Sequence, residues 1–210
     1  FRVNYRPGDW ERLVPAIRSL ELHATDRLGI QNDAYALSRA GLLPVTQFLS
    51  LAQAYQNEND ASVWGDLAVN LREIEQLIAH DPLHPAYQKF GRDLFGPAAK
   101  TAGWEPKRGE GHLDALLRST VLSQAGGYHD AELTGQAVDR FQQYLQDRES
   151  LAPDLRGMVF ALAAQEGGRE VYDRIWELEG ETNLAEEKVR LLMALTRFEQ
   201  QKLLTATLED

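Results

Sequence analysis

From Asp9 onward the apolar residues of this chain recur three and four positions apart, and strand-like alternation is confined to the first five residues. This periodicity constrains the fold more than anything else in the sequence, because it dictates helices that bury one side. The clearest case is "ASVWGDLAVNLREIEQLIAH" at 61–80, where Val63, Leu67, Leu71, Ile74 and Ile78 form one stripe and Asp60 is placed to cap. Asp9 can cap "WERLVPAIRSL", with a kink at Pro15. Thr25 can cap "DRLGIQNDAYALSRA", which is expected to bury Leu28, Ala36, Leu37 and Ala40 and to stop at Gly41. Pro44 opens "VTQFLSLAQAY", and "AYQKFGRDLFGPAAKTAG" follows the breaks at Asp81–Pro82 and His84–Pro85. Then comes "HLDALLRSTVLSQA", stopped by Gly126–Gly127, with later helices expected at about 130–147, 153–166, 168–179, 183–197 and 199–208. Joints this short favour antiparallel hairpins stacked in layers, so the expected fold is all-α, a HEAT/armadillo-like array.

Two features qualify that picture. "FRVNY" alternates, with Phe1, Val3 and Tyr5 on one side, and reads as a short residual β-strand left from something upstream. The chain starts at Phe1 without a Met, which suits a cut piece of a longer protein as well as a natural product. There is also an internal echo: "VLSQAGG" and "ALAAQEGG" both end an apolar helix in a glycine pair, and Gly126 and Gly167 are 41 residues apart. That period suits HEAT-type helix pairs and exceeds the 34 residues of a TPR, which disfavours a TPR-like regulator.

Charge and composition exclude several classes. A formal net charge of −10 opposes the phosphate attraction that nucleic-acid binding needs, and opposes docking on an anionic membrane. Cysteine is absent, which removes disulfides and thiolate chemistry. The longest apolar run, "MVFALAA" at 158–164, is far below the ~20 residues of a membrane span.

The stretch most suggestive of chemistry is "WEPKRGEGHLDALLRS" at 104–119. Gly109 and Gly111 follow no strand, and neither a third glycine nor a Gly-Lys-Ser/Thr completes a phosphate loop. A helix start explains it better: Glu110 and Asp114 complement the helix dipole. Asp114 and Arg118 stand four apart in the favourable order for a structural ion pair, with Leu113, Leu116, Leu117 and Val121 expected to face the core. Of the five histidines, His80 and His84 have ligand spacing but prolines interrupt them, and there is no HExxH, so no metal site is expected in this chain. No G-x-S-x-G is present either. Trp10, Trp64, Trp104 and Trp176 are scattered and read as core anchors. By themselves these residues describe a helical array without a self-contained active site.

Several segments together carry a family likeness. "FRVNY", "WERL", "NDAYALSRAGLLPVTQFLSLAQAYQNENDASVWGDL", "GWEPKRGEGHLDALLRSTVLSQAG", "RFQQYL", "LAPDLRGMVFALAAQEGG" and "EEKVRLLMAL", in this order, resemble the carboxy-terminal part of M1-family zinc aminopeptidases. The nearest likeness is to the puromycin-sensitive branch, with the ER aminopeptidases and the tricorn-interacting factors. The resemblance implies a larger parent in which residues 1–5 end a preceding β-sandwich domain and residues 6–210 belong to the HEAT-like α-helical carboxy-terminal domain. It also implies that this array stops short, with an unsealed apolar end.

On the same resemblance, the zinc ligands and the catalytic glutamate lie elsewhere in the parent, so zinc is the parent's cofactor and this chain supplies none of the catalytic residues. The helical domain of such enzymes closes over the catalytic domain, limits substrate size, and can turn basic side chains toward a bound peptide. Arg197, in "ALTRF", falls where some relatives have such an arginine, and Arg190 is expected on the same helical face. Some relatives carry a tyrosine–lysine pair on the fourth helix where this chain reads "REIEQL". The implied partners are the catalytic domain of the same parent chain and peptide substrates, with no nucleic acid and no membrane, and the implied location is cytoplasmic. The alternative is a free-standing HEAT-like scaffold that binds another protein in its concave face.

Overall fold

The computed structural model describes residues Arg2–Glu209, apart from the side chain of Glu209. Eleven α-helices follow one another among the described residues: α1 Pro7–Arg18, α2 Ala24–Arg39, α3 Val45–Ala52, α4 Ala61–Ile78, α5 His84–Ala102, α6 His112–Gly127, α7 Ala131–Gln146, α8 Pro153–Glu166, α9 Arg169–Glu181, α10 Ala185–Leu195 and α11 Gln201–Glu209. The all-α class and the helix order follow the periodicity. No strand forms among the described residues, and Phe1 lies outside them. A strand needs a partner strand to satisfy its backbone; here the Val3 N–H donates instead to Asp33 Oδ2 on α2, at 3.2 Å.

The helix starts show which sequence signals decide. Asp60 caps α4 as expected, accepting from Ser62 N at 2.8 Å and Val63 N at 3.1 Å. At α1 the proline prevails over the aspartate: Pro7 sits in the first turn, two residues before Asp9, because its fixed φ is already helical and it has no N–H to leave unpaired. Similarly, Pro85 opens α5 rather than preceding it. α2 begins at Ala24, behind His23, and not behind Thr25.

The contacts divide the chain into two compact units, one ending at Gln124 and the other beginning at Ala125. In the first, α2 packs on α3 and α4, and the 3-10 turn Gln53–Asn57 receives α1, α3 and α5. Val63, Leu67 and Leu71 of the α4 stripe are wholly buried, with Ile74 at the limit. Trp64 and Phe95 meet at 4.9 Å between ring centroids, and Tyr35 and Phe48 at 5.3 Å. Each such side chain contributes about 1.5–3 kcal/mol by leaving water.

The inward face of α2 differs from expectation. It consists of Arg27, Ile30, Gln31, Ala34, Tyr35 and Leu37, while Ala40 is exposed. Two of these are polar: Gln31 Nε2 donates to Val63 O at 2.9 Å, while its Oε1 is buried without a partner, and Arg27 is described below.

In the second unit α8 touches α7, α9 and α10, so both its sequence neighbours and the next helix but one lie against it. Phe160 is the centre of the aromatic packing, 5.9 Å from Phe141 and 5.1 Å from Tyr144. Of the four tryptophans only Trp10 and Trp64 are core residues; Trp104 and Trp176 are half-buried.

Candidate functional site

The 104–119 stretch lines a cavity of about 470 Å³ in the first unit, together with residues 56–59 and the last turns of α5. Gly103 (φ +66°) ends α5 and Gly109 (φ +89°) turns the loop, both in the left-handed region that glycine enters without steric cost. The expected Asp114–Arg118 pair does not form. Arg118, only 3% exposed, donates its Nη2 to Glu110 and its Nε to the Gly103 carbonyl at 3.1 Å. Asp114 instead accepts from the Gly111 N–H at 2.8 Å, capping α6.

The reason is geometric. Arg118 must point inward to reach Gly103, so the buried stripe of α6 runs through Arg118, Val121, Leu122 and Ala125. Leu113 and Leu116, expected in the core, turn outward and are 64% and 46% exposed. The Arg118 guanidinium holds the Glu110 carboxyl below the usual carboxylate range, with a backbone bond from Lys107 as the second cause. This constellation locks a turn to a helix.

A second lock escaped the sequence reading. Arg27 Nε and Nη2 donate to Glu58 Oε2 and Oε1, each at 2.6 Å, with both side chains buried. Glu58 Oε1 also accepts from Asn59 N and Asp60 N, each at 2.9 Å. The fork-to-fork geometry and the two N–H donors compensate the charges that burial would otherwise penalise. The partners are 31 residues apart, so no local spacing could signal them.

In the second unit, Arg190 and Arg197 do not share a helical face. α10 ends at Leu195, and Arg197 lies in the turn beyond it, its N–H on Ala194 O at 2.9 Å. Arg190 is committed to carboxylates on its own helix, donating to Glu186 and, at 3.0 Å, to Glu187. Glu187, buried, also faces Arg156 at 3.6 Å and accepts from the Tyr144 hydroxyl at 3.3 Å. Burial, then the Glu187 charge, pushes the Tyr144 phenol up.

Arg197 Nη2 donates to Gln165 Oε1 at 3.3 Å, and Gln165 Nε2 donates to Gly126 O at 3.2 Å. His129, at φ +60°, stands beside this amide, its ring nitrogens each 3.4 Å from a carboxylate, Glu166 on one side and Glu199 on the other. Among the described residues no group of three or more His, Asp or Glu could hold a metal ion, so the side chains present do not fit a zinc site. No described helix is long and apolar enough to cross a membrane.

The model of the family described as "ERAP1-like C-terminal domain" matches residues 1–210. Aminopeptidase M1-A of Oryza sativa subsp. japonica is 35% identical over 203 residues, covering 93% of this chain and 23% of the relative. Aminopeptidase A of Gloydius brevicauda is 34% identical over 199 residues, covering 93% and 20%. Glutamyl aminopeptidase of Mus musculus is 30% identical over 213 residues, covering 100% and 22%. The chain thus spans about a fifth of the length of these relatives.

Proposed function

Because the chain belongs to the ERAP1-like C-terminal domain family, we propose that it is the non-catalytic helical part of a zinc aminopeptidase, closing the cavity in which peptides are held and contributing side chains to peptide binding. The parent removes amino-terminal residues from peptides, with zinc and its activated water held by other parts of the parent chain. The single observation that carries this reading is the match of the whole chain, residues 1–210, to that one family, supported by relatives that are aminopeptidases by name.

The described side chains fit a supporting role. The two strongest clusters, Arg27–Glu58 and Arg118–Glu110, tie loops to helices rather than expose a reactive group. Arg197 is the proposed peptide-facing cation, steadied by the Gln165 amide; Arg190, bound to two glutamates, serves to fix α10. HEAT-like stacking and a cytoplasmic parent belong to the same proposal, the latter testable by fractionation of the full-length protein.

The test compares the full-length parent with residues 1–210 alone on aminoacyl-anilides. The parent should hydrolyse them and lose activity to a chelator, and the 210-residue chain should be inert. Chelator-insensitive hydrolysis by the chain alone would overturn the reading.

A further inference from the structure

The loop between α5 and α6 carries the dipeptide Lys107–Arg108, and both side chains are exposed. The tip of the loop is a turn closed by Glu110 N on Lys107 O at 3.2 Å, with Arg108 and Gly109 between them. Gly109, at φ +89°, takes the left-handed position that such a turn reserves for glycine. Arg108 makes no hydrogen bond and no ion pair among the described residues. Lys107, by contrast, donates its Nζ to Thr101 O at 2.7 Å.

Exposed loop tips are where proteases cut folded chains, and few basic residues of this chain occupy one. Most of the 22 lysines and arginines lie within α-helices, whose backbone a protease reaches only after local unfolding. Outside the helices, Arg2 stands at the very start, and Arg6 is followed by Pro7, whose ring nitrogen and fixed φ suit cleavage poorly. Arg148 is held in a 3-10 turn by Tyr144 O and Glu181. Arg197 is half-buried on Gln165.

We propose that Arg108–Gly109 is a processing site for a trypsin-like serine endopeptidase, and that the cut chain keeps its fold. The exposed guanidinium suits the carboxylate-floored pocket with which such a protease selects arginine, and opening the turn costs one backbone bond. The C–N bond between Arg108 and Gly109 breaks. Water supplies the oxygen of the new Arg108 carboxylate, and both its protons pass to the Gly109 nitrogen. The two pieces stay joined through Arg118. Its Nε, in the later piece, donates to Gly103 O in the earlier one at 3.1 Å, while its Nη2 keeps Glu110. Val121 and Leu122 of the later piece, 0% and 1% exposed, hold α6 in the first unit. The inference is independent of the parent's hydrolytic role.

The test is limited digestion with trypsin of the 210-residue chain and of the full-length parent, read by intact mass and by gel filtration without denaturant. The first cut within residues 1–210 should follow Arg108. The pieces 1–108 and 109–210 should elute together, at the position of the uncut chain. Arg108→Gln should leave the Tm unchanged and divert the cut to Lys107. The double variant Lys107→Gln/Arg108→Gln should be cut about tenfold more slowly or less, since its remaining sites require unfolding. A first cut elsewhere, an unaltered rate in the double variant, or pieces that separate without denaturant overturns the inference. So does a cut in the 210-residue chain that the full-length parent resists, because the loop would then be covered.

Discussion

Leu162 rests its branched end directly over the Cα of Gly126: a Cβ there would lie 2.5 Å from Leu162 Cδ1 and 2.8 Å from Cδ2. Within the second unit, Leu162 can sit this close to Gly126 only because Gly126 carries no side chain. At Gly167 the obstacle is less yielding, since a Cβ would meet the Ala163 carbonyl oxygen at 2.6 Å and Val171 Cβ at 2.7 Å. Gly168, next to it, has nothing within 4 Å. Gly126→Ala should therefore destabilise by about 1–3 kcal/mol, as overpacking does, and Gly167→Ala by at least as much, because a backbone carbonyl cannot rotate away. Gly168→Ala meets no such contact and should cost less, at most about 1 kcal/mol, because Gly168 is the N-cap of α9 and alanine is a poorer cap than glycine. Urea unfolding of the three variants checks this; equal losses at Gly167 and Gly168 would remove contact as the explanation.

Arg118 and Glu110 should prove energetically coupled, and Arg118 and Asp114 should not. A double-mutant cycle with Arg118→Ala, Glu110→Gln and Asp114→Asn separates the two pairs, because Asp114 bonds only the Gly111 N–H. The coupling also has a pH signature. Arg118 lowers the Glu110 pKa in the folded state, so the stabilisation is fully present above the unfolded carboxylate value of about 4.3 and is lost as pH falls through the lowered folded value. The stability difference between the parent sequence and Glu110→Gln should thus close as the solution is acidified through that window. A difference that persisted unchanged well below it would contradict the bridge.

The legibility of the sequence follows from the range of the interactions. Val63, Leu67 and Leu71 were readable because helical burial is a local period, and Asp60 because a cap acts within three residues. Arg118 was readable as a paired residue but not its partner: i,i+4 spacing favours Asp114 in an isolated helix, whereas the folded loop brings Glu110 in front of the helix and lets Gly103 anchor the same guanidinium. Arg27–Glu58 gave no local signal at all, and it inverts the polarity that the α2 pattern would suggest. The glycine echo was visible as a period; that Gly126 answers to a side chain and Gly167 to a backbone carbonyl is a fact of tertiary packing.

Removing half of the Arg27–Glu58 pair should be among the most damaging substitutions in the first unit. Arg27→Met leaves the Glu58 carboxylate buried without its cation, and breaking a buried pair in this way costs about 3–5 kcal/mol. Glu58 keeps its two backbone donors, Asn59 N and Asp60 N. Changing Glu58 to Gln in the same molecule removes the stranded charge yet preserves an acceptor for those donors. The double variant Arg27→Met/Glu58→Gln should recover more than half of the loss in chemical denaturation. If it is no more stable than Arg27→Met, desolvated charge is not the source of the penalty.

Arg197 offers the test of the peptide-facing role proposed for it in the second unit. Its bond to Gln165, whose amide also holds Gly126 O, places the guanidinium at the turn after α10. In the full-length parent, Arg197→Ala should raise KM for peptides with a free carboxylate by about tenfold, with a much smaller change for aminoacyl-anilides, which have no carboxylate to lose. Arg197→Lys should recover only part of the affinity, because a point charge replaces the planar fork. Gln165→Ala should reproduce the KM effect in weaker form if the amide serves to position Arg197. An equal rise in KM for peptides and anilides would reduce Arg197 to a structural support of the second unit.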